Sequence, residues 1–226
     1  MTSTNNTPTG THVALVAGAT GLVGQAILAL LLADRRYSAV HVVGRRAPGV
    51  QHPKLQVHIS TSLTNWACPV VDEVFIALGT TIKVAGSKAA FKAVDFEAVV
   101  AIASAAKAAG ASRLAVVSAM GASARSGVFY NRVKGEMEAA VSALGFDAVV
   151  IARPSLLAGD RGALKQPQRV AEKLSLVAFE LFKPLIPANY QSINASSVAR
   201  AMVRTLQTAG GGKHVMLSGE MQSFAA

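Results

Sequence analysis

Short apolar segments alternate with longer segments of helical periodicity along most of the chain. Apolar runs of strand length predict strands at 13–17, 39–43, 55–59, 74–78, 114–117, 148–151 and 215–217. Apolar positions three and four residues apart predict helices at 25–32, 87–109, 130–144 and 196–208. This alternation predicts an α/β fold with a doubly wound, mostly parallel sheet and right-handed crossovers. The strand at 55–59 alternates apolar and polar residues, which places it near a sheet edge.

The chain is predicted to form one domain. Residues 1–11 are polar, rich in Thr and Asn, and are expected to be a disordered tail. Residues 12–226 follow without a linker or a repeat. The segment at about 155–195 is less regular, with turn signals around a predicted helix at 170–182. Ligands of a doubly wound sheet bind beyond the carboxyl ends of the strands, so this segment is the expected substrate lobe.

Three glycines separate the first predicted strand from the first predicted helix. Gly18 can take the tight turn, Gly21 lets the backbone approach a pyrophosphate, and Gly24 lets the helix pack closely on the strand. The N–H groups that begin the helix then face the anion. Because a strand precedes the glycines and a helix follows them, the pattern predicts a dinucleotide site of the NAD(P)-binding Rossmann type.

The same region has an alternative interpretation as a membrane span. Residues 13–33 contain no charged side chain, and an uncharged run of about 20 residues is long enough to cross a bilayer. A secretory signal would need a positive region before it, whereas residues 1–12 contain no Lys or Arg. The glycines divide the run into a strand and a short helix, which favours the dinucleotide site and no membrane association.

Composition narrows the class of protein. Hydrophobic residues make up 51% of the chain and charged residues 15%, which is typical of strands covered on both faces. The net charge is +10, yet no basic run exceeds two residues and aromatic residues make up 5%, so no nucleic acid is expected. The positive charge instead attracts a phosphorylated small molecule or simply aids solubility. Cys68 is a single cysteine, which excludes an internal disulfide and favours the cytoplasm. The five histidines lack metal-ligand spacing, so no metal is expected.

The second predicted strand ends without an acidic residue. An NAD site usually has an Asp or Glu about 20 residues after the glycines, where it accepts the ribose 2′-hydroxyl. Here Arg45 and Arg46 follow the strand. A guanidinium binds a 2′-phosphate bidentately and a carboxylate repels it, so NADP(H) is predicted over NAD(H), with Arg45 the first choice. The alternative is two solvated arginines at a strand end.

A phenol and an ammonium lie one turn apart in the helix predicted at 130–144. Tyr130 and Lys134, four residues apart, share one face of that helix. A phenol is a weak base at neutral pH, and a cation about 4–6 Å away stabilises the phenolate by roughly 3–4 kcal/mol at an effective dielectric of about 20. Tyr and Lys at this spacing are common on helices, so the pair indicates chemistry only because it follows a dinucleotide turn and a buried strand.

Five motifs occur in chain order between about residues 12 and 200. They are Gly18-Ala-Thr-Gly-Leu-Val-Gly24, Ala77-Leu-Gly-Thr-Thr81, Val117-Ser-Ala-Met-Gly-Ala122, Tyr130-x3-Lys134-Gly-Glu136 and Arg153-Pro-Ser155. In combination the chain resembles the short-chain dehydrogenase/reductase superfamily, and within it the atypical branch that is similar to the Tat-interacting-protein family.

The resemblance implies a role for each motif. The residues that would cradle the pyrophosphate are Gly18, Thr20, Gly21, Leu22, Val23 and Gly24. The residues on the adenosine side of the cofactor would be Ala77, Leu78 and Gly79, with Thr80 also in the cofactor-binding set. Pro154 and Ser155 would border the nicotinamide. Tyr130 would exchange a proton with the substrate oxygen while hydride moves at the nicotinamide, and Lys134 would also hold the nicotinamide ribose.

The chain departs from this family at the catalytic serine. The family pattern after the strand is commonly Val-Ser-Ser with the second Ser catalytic, and that position is Ala119 here. Successive residues at a strand end point to opposite sides, so Ser118 needs a local bulge to substitute. Ser118 is therefore either a catalytic candidate or a buried hydroxyl bonded to backbone. Losing one oxyanion donor typically lowers the rate by about 10²–10³, so weak or narrow activity is expected.

Other polar residues carry milder predictions. Asp95 and Glu136 are expected to cap a helix or pair on its surface, and Cys68 is expected to be packed and not nucleophilic. Arg153 and Arg161 flank the predicted substrate mouth, where they are either anion-binding or solvated.

These features predict a cytoplasmic NADP(H)-dependent oxidoreductase that reduces a carbonyl compound or oxidises an alcohol. Tyr130 is the acid/base, and the cofactor carries the hydride. The alternative, which Ala119 and the short substrate lobe favour, is a dinucleotide-binding regulatory protein with little or no turnover. A homodimer through the helices around Tyr130 is also expected. The substrate is not identified, because the residues that shape its pocket lie in the least patterned third of the chain.

Overall fold

The computed structural model describes residues 10–63, 66–158 and 187–225. Its strands are β1 His12–Ala17, β2 Tyr37–Gly44, β3 Leu55–Ile59, β4 Glu73–Ile76, β5 Arg113–Val117, β6 Ala148–Arg153, β7 Leu157–Ala158, β8 Ile193–Asn194 and β9 Gly212–Leu217. Its helices are α1 Leu22–Ala33, α2 Ile82–Ala85, α3 Lys88–Lys92, α4 Ala98–Ala108, α5 Phe129–Ser142, α6 Ala195–Thr208 and α7 Ser218–Gln222. A π-helical turn, Ala93–Glu97, joins α3 to α4, and a 3₁₀ turn spans Ala188–Tyr190.

Seven of these strands form one sheet in the order β3-β2-β1-β4-β5-β6-β9. Every neighbouring pair in this sheet is parallel. β7 and β8 form a separate parallel pair. The strand order reverses between β1 and β4, and the crevice at their carboxyl ends is where ligands bind in such sheets. The predicted doubly wound sheet is confirmed, with β3 at an edge as expected.

Helices cover both faces of the sheet. α1 and α6 pack on one face, in a core that contains Val16, Ile27 and Met202. α4 and α5 pack on the other face, in a core that contains Leu15 and Ile102. Consecutive β1 residues thus belong to different cores, as the two-residue period of a strand requires. The apolar faces predicted for these helices are therefore the faces that they bury.

Several element boundaries differ from the predicted ones; among them, β2 begins at Tyr37, α1 begins at Leu22 and β6 ends at Arg153. β4 ends at Ile76, two residues early. The helix predicted at 87–109 is interrupted by the π-helical turn. The closing strand is longer than predicted, because Gly212–Leu217 pairs with β6 along its whole length. Gly110, at φ +107°, follows the C-cap Ala109 of α4 in the left-handed region, which is typical of the residue after a helix end.

Some predictions fall outside the described residues. They are the helix at 170–182 with its turn signals, Arg161, and most of the tail at 1–11.

Residues 13–33 form β1, the glycine turn and α1, so the interpretation of this run as one membrane span is wrong. In the described ranges, no helix combines the length and the hydropathy that a bilayer crossing needs.

A buried polar network lies where the strands begin, at the end of the sheet opposite to the glycine turn. The Tyr37 hydroxyl donates to Glu73 Oε2 at 2.5 Å, and Gln207 Nε2 donates to the Tyr37 oxygen at 3.2 Å. Arg113 Nε lies 3.7 Å from the other oxygen of Glu73. Burial, together with the Glu73 carboxylate, raises the pKa of Tyr37. The phenol therefore stays protonated and satisfies a carboxylate that is 4% exposed.

Candidate cofactor and active site

The turn between β1 and α1 requires glycine at two positions. Gly18 has φ +88°, and a Cβ there would lie 2.5 Å from the Ala77 carbonyl oxygen. A Cβ on Gly24 would lie 2.1 Å from the Gly18 oxygen. These contacts are far shorter than van der Waals distance, so both positions exclude any larger residue. The predicted tight turn and the predicted close packing of α1 are confirmed.

Gly21 has a different environment from the other two glycines. Its φ is −89°, and the only nearby atom that an added Cβ would meet is the Gly18 oxygen at 3.4 Å. Gly21 is also the N-cap of α1, where it offers no side-chain acceptor, and the first turn of α1 contains no acidic residue. Open space beside a helix start that carries no negative side chain fits an anionic group such as a pyrophosphate.

The end of β2 presents two exposed cations. Arg45 and Arg46 follow Gly44 directly, and both side chains are exposed. No carboxylate stands among the residues that follow the strand, from 45 to 50. The charge at this tip fits a 2′-phosphate, and the preference for NADP(H) remains a prediction.

The residues after β4 approach the predicted catalytic helix α5. A Cβ on Gly79 would lie 3.5 Å from Asp95 Oδ1 and 4.0 Å from Lys134 Nζ. The Thr80 N–H donates to Asp95 Oδ2 at 2.8 Å. The segment Ala77–Thr80 therefore touches the glycine turn at one end, through Gly18, and the Lys134 ammonium at the other.

Asp95 and Lys134 form a buried ion pair. Lys134 Nζ lies 2.8 Å from Asp95 Oδ1, although the contact lacks the alignment of a hydrogen bond. Asp95 is fully buried and Lys134 is 2% exposed. The prediction that Asp95 caps a helix or pairs on the surface is wrong. The signal for its burial was present in the sequence, because Asp95 lies four residues after Phe91 and four before Val99, on the apolar face of that helix.

Asp95 occupies the middle of the π-helical turn. Both Asp95, in this turn, and Val99, in the helix that follows it, face inward. Such turns occur frequently at functional sites. No simple periodicity predicts this turn, which is why the sequence pattern alone gave one continuous helix.

Tyr130 lies on the same side of α5 as Lys134. Its ring packs against Phe91 with centroids 5.3 Å apart, while Lys134 contacts Asp95 one helical turn further along the same partner helix. Tyr130 is half-buried, and its hydroxyl makes no hydrogen bond to any of the described residues. We call this set of paired residues, Phe91 with Tyr130 and Asp95 with Lys134, the α3–α5 seam. The seam offers a proton-carrying phenol next to a fixed ammonium.

Ser118 is buried directly after β5. Its N–H donates to the Ala152 oxygen at 2.7 Å, which continues the ladder between β5 and β6. Its Oγ is buried and has no hydrogen-bond partner among the described residues. The prediction that this hydroxyl bonds to backbone is wrong. Ala119 is also buried and offers no hydroxyl, so Ser118 alone carries the unpaired donor at this strand end.

Arg153 and Ser155 bind other parts of the protein. Arg153 Nε and Nη2 donate to the two oxygens of Glu138 on α5 at 2.9 and 2.5 Å, and these bonds raise the pKa of Arg153. Arg153 is therefore paired and partly buried, so the solvated alternative is wrong, while anion binding by its remaining N–H groups stays a prediction. The Ser155 hydroxyl donates to the Gln191 carbonyl and contacts the Ser218 hydroxyl at 2.9 Å. Pro154, in between, accepts a bond from the Met120 N–H at 3.2 Å.

Cys68 and Glu136 contribute nothing to this arrangement. Burial raises the pKa of the Cys68 thiol to about 11, so the thiol is protonated at neutral pH, and its expected packing role is confirmed. Glu136 is half-buried and forms no ion pair within the described ranges.

A family model described as NAD(P)H-binding matches residues 18–209, which include the glycine turn and the α3–α5 seam. The chain belongs to this NAD(P)H-binding family. The NAD(P)-binding assignment made from the glycine turn is thereby confirmed, together with the Rossmann fold, and the resemblance to the short-chain dehydrogenase/reductase superfamily fits this family.

Solved structures support the fold assignment of this NAD(P)H-binding chain. A short-chain dehydrogenase/reductase family oxidoreductase from Burkholderia thailandensis superimposes with a TM-score of 0.70 at 17% identity, over 95% of this chain and 94% of that one. The enzyme WbmH from Bordetella bronchiseptica, in complex with NAD⁺, gives a TM-score of 0.66 at 18% identity, over 92% of this chain and 76% of that one. At these identities the likeness concerns the fold.

A sequence relative corrects the expected location. The protein fmp52, mitochondrial, of Emericella nidulans is 36% identical over 170 residues, which is 71% of this chain and 72% of the relative. Other fungal relatives at 33–37% identity carry the same mitochondrial name. These names contradict the cytoplasmic prediction. That prediction used the single cysteine, which excludes an internal disulfide in any compartment and so does not distinguish between compartments.

Proposed function

We propose that the chain is an NADP(H)-dependent oxidoreductase that reduces a carbonyl compound or oxidises an alcohol, with Tyr130 as the acid/base. The α3–α5 seam carries this proposal. It combines a half-buried phenol that has no hydrogen-bond partner in the described residues with a buried ammonium one turn away, beside the segment that follows β4. A Tyr–Lys pair on the exposed face of a helix would lack the contacts to Phe91 and Asp95 that hold Tyr130 and Lys134 in place.

The cofactor would be held by groups at the carboxyl ends of β1, β2 and β4. The glycine turn and the start of α1 would bind the pyrophosphate, and Arg45 would bind the 2′-phosphate, with Arg46 as the second choice. The segment Ala77–Thr80 would line the adenosine side. When bound, the cofactor supplies the hydride.

Lys134 would have two tasks. An ammonium has three donors, and the Asp95 carboxylate engages one side of it, so donors remain for the hydroxyls of the nicotinamide ribose. Asp95 holds the ammonium in place, and it also offsets part of the positive field at Tyr130.

Tyr130 and Ser118 would act on the substrate oxygen. In the direction of reduction, the phenol gives its proton to that oxygen, and in the direction of oxidation it takes the proton back. Ser118 has an unpartnered hydroxyl that would donate to the same oxygen after a local bulge at this strand end, because its N–H otherwise continues the β5–β6 ladder, whereas Ala119 has no hydroxyl. We expect slow turnover, since a missing oxyanion donor typically costs about 10²–10³ in rate.

The second candidate function is cofactor binding without turnover, with the bound cofactor setting the shape recognised by a protein partner. Ala119 favours this alternative, because the position of the family's catalytic serine has no hydroxyl. In both candidates the same site binds NADP(H), so the two differ only in chemistry.

Two measurements test the proposal, and the second of them separates the two candidates. Calorimetry with NADPH and NADH should give tighter binding of NADPH. Arg45→Ala should reduce this difference in affinity between the two nucleotides. Arg204→Ala, on the exposed face of α6, is the control and should leave the difference unchanged. A panel of aldehydes and ketones should consume NADPH, followed by its absorbance, and Tyr130→Phe should abolish consumption without weakening NADPH binding. Binding with no turnover on any compound would support the regulatory candidate, and no heat with either nucleotide would refute both.

A further inference from the structure

The α3–α5 seam continues outward into a pair of cations around one aromatic ring. Lys88 Nζ lies 5.3 Å from the ring centroid of Phe129, and Arg132 Cζ lies 5.7 Å from the same centroid. Phe129 in turn packs on Phe91, with centroids 6.0 Å apart, and Phe91 packs on Tyr130. The two cations are therefore connected to the proposed acid/base through a continuous aromatic cluster.

The order of contacts along the seam gives this cluster a direction. On one helix the residues run Lys88, Phe91, Asp95, and on the other their partners run Phe129, Tyr130, Lys134. Lys134 is at the buried end, next to Gly79, and Lys88 is exposed at the other end. A substrate oxygen at Tyr130 thus has the Lys134 ammonium on the buried side and Lys88 on the exposed side, where Lys88 lies one helical turn before Phe91. Arg132 lies on another face of α5 and reaches this exposed end at the Phe129 ring.

No carboxylate neutralises these cations within the described residues. Residues 79–94 and 114–135, which build this part of the site, contain no Asp or Glu, and Asp95 is already paired with Lys134. Neither Lys88 nor Arg132 forms an ion pair in the described ranges. Lys83 and Arg125, in the same two segments, are exposed and add positive charge. Glu136, one turn after Arg132 on the same face of α5, forms no ion pair in the described ranges, and the cations at the rim of the seam outnumber this single carboxylate.

Arg132 is oriented for recognition of an oxyanion. Its Nη1 donates to the Ser126 oxygen at 3.0 Å and reaches the Gly127 oxygen at 3.5 Å. Its Nε and Nη2 groups bind none of the described residues, so a fixed guanidinium still offers a free edge. A guanidinium that is already oriented loses little entropy on binding, and its fork matches a carboxylate or phosphate.

We propose that Arg132 and Lys88 recognise an anionic oxygen group, a carboxylate or phosphate, on the carbonyl or alcohol substrate. The inference rests on the proposed oxidoreductase function and adds the charge class of its substrate. The anionic group lies at the exposed end of the seam, beside the Phe129 ring that both cations contact. A rigid spacer such as a benzene ring substituted at opposite positions carries the reacting oxygen and the anionic group at its two ends.

The test compares matched aldehydes with NADPH. The anionic probes are 4-formylbenzoate and 4-formylphenyl phosphate, and the neutral probe of similar shape is 4-formylbenzamide. The expected result is a higher kcat/KM for at least one anionic probe. Arg132→Gln and Lys88→Gln should each lower the ratio of anionic to neutral kcat/KM by about 10-fold or more, since a bond to a charged group is at stake. Which anionic probe is preferred distinguishes carboxylate from phosphate recognition.

Lys107→Gln is the matched control. Lys107 Nζ lies 5.4 Å from the ring centroid of Phe146, so it makes the same type of contact as Lys88 near the opposite end of the sheet. Its removal should leave the ratio unchanged. An equal fall in the ratio for Lys107→Gln would mean that net charge, and not the rim, sets the preference, and it would overturn the proposal.

A binding measurement separates this inference from the proposed reaction. Calorimetry with 4-(hydroxymethyl)benzoate and 4-(hydroxymethyl)benzamide, with and without NADP⁺, detects the anion site without any turnover. Preferential binding of the benzoate that is lost in Arg132→Gln supports the anion site even if no aldehyde is reduced. Reduction of all three aldehydes with equal kcat/KM would refute the anion site and leave the oxidoreductase proposal standing. Loss of NADPH affinity in Arg132→Gln would assign these cations to the cofactor and also overturn the inference.

Discussion

Asp95→Asn isolates the buried ion pair of the α3–α5 seam. The amide has nearly the shape of the carboxylate, and its oxygen can still accept the Thr80 N–H, so the change removes the charge and little else. Lys134 is 2% exposed and would be left as an uncompensated buried cation. Breaking a buried pair from one side typically costs about 3–5 kcal/mol, which is a large part of a total stability of about 5–15 kcal/mol.

The second half of the design removes both charges. Lys134→Met alone leaves the Asp95 carboxylate buried with the Thr80 N–H as its bond, so it should also destabilise the chain. In Asp95→Asn/Lys134→Met neither residue is charged, and the double variant should be more stable than either single one. The difference between the double variant and the sum of the singles is the coupling energy of the pair.

Urea unfolding followed by circular dichroism measures these free energies. For a chain of this size, a loss of about 3–5 kcal/mol corresponds to a fall in Tm of roughly 6–20 °C. Glu97→Gln is the control, because Glu97 lies in the same π-helical turn but is exposed, and it should change stability by less than about 0.5 kcal/mol. A loss below about 1 kcal/mol for Asp95→Asn, with no recovery in the double variant, would refute the importance of the pair.

Three other predictions follow from described contacts. Gly24→Ala should destabilise the chain by about 1–3 kcal/mol, because its Cβ meets the Gly18 oxygen at 2.1 Å. Gly21→Ala should fold normally and weaken NADPH binding. Equal urea midpoints for the two variants would contradict the different roles of these two glycines. Tyr37→Phe should cost about 1.5–3 kcal/mol in urea, because the Glu73 carboxylate loses a donor, and an unchanged midpoint would disprove the role of the network. Burial and the neighbouring His58 lower the pKa of His41, so the unfolded chain binds the proton more readily than the folded chain does. The free energy of unfolding should therefore fall as the pH drops below about 6.5. His41→Gln should reduce this dependence of stability on pH, whereas His52→Gln, at an exposed site, should not.

The sheet and the glycine turn could be predicted from local patterns. Apolar runs of strand length and helical periodicity have short-range causes, and each of these segments keeps its predicted type in the structure. The glycine spacing also has a local cause. Gly18 and Gly24 lie close together in the same turn, and a Cβ on Gly24 would clash with the Gly18 oxygen.

The candidate site was only partly predictable, because its polar partners are distant in sequence. Lys134 was identified from its spacing to Tyr130, but its carboxylate partner lies 39 positions earlier in a π-helical turn that no periodicity indicates. Arg153 was placed at the substrate mouth because it follows a strand, yet its Nε and Nη2 groups donate to Glu138 across the interface of β6 and α5. A charged residue on an apolar helix face is the sequence signal that would have found Asp95.

The two clusters of buried charge stand at opposite ends of the strands. The first cluster lies where the strands begin and consists of Tyr37, Glu73 and Arg113. The second lies at the end of the sheet where ligands bind and consists of Asp95 and Lys134. Because the two clusters share no residues, changes that alter the free energy of unfolding at the first should leave the activity of the second unchanged. Directed evolution can then reinforce the first cluster to gain tolerance for bolder changes at the second, so that selection for a new substrate need not compete with selection for folding.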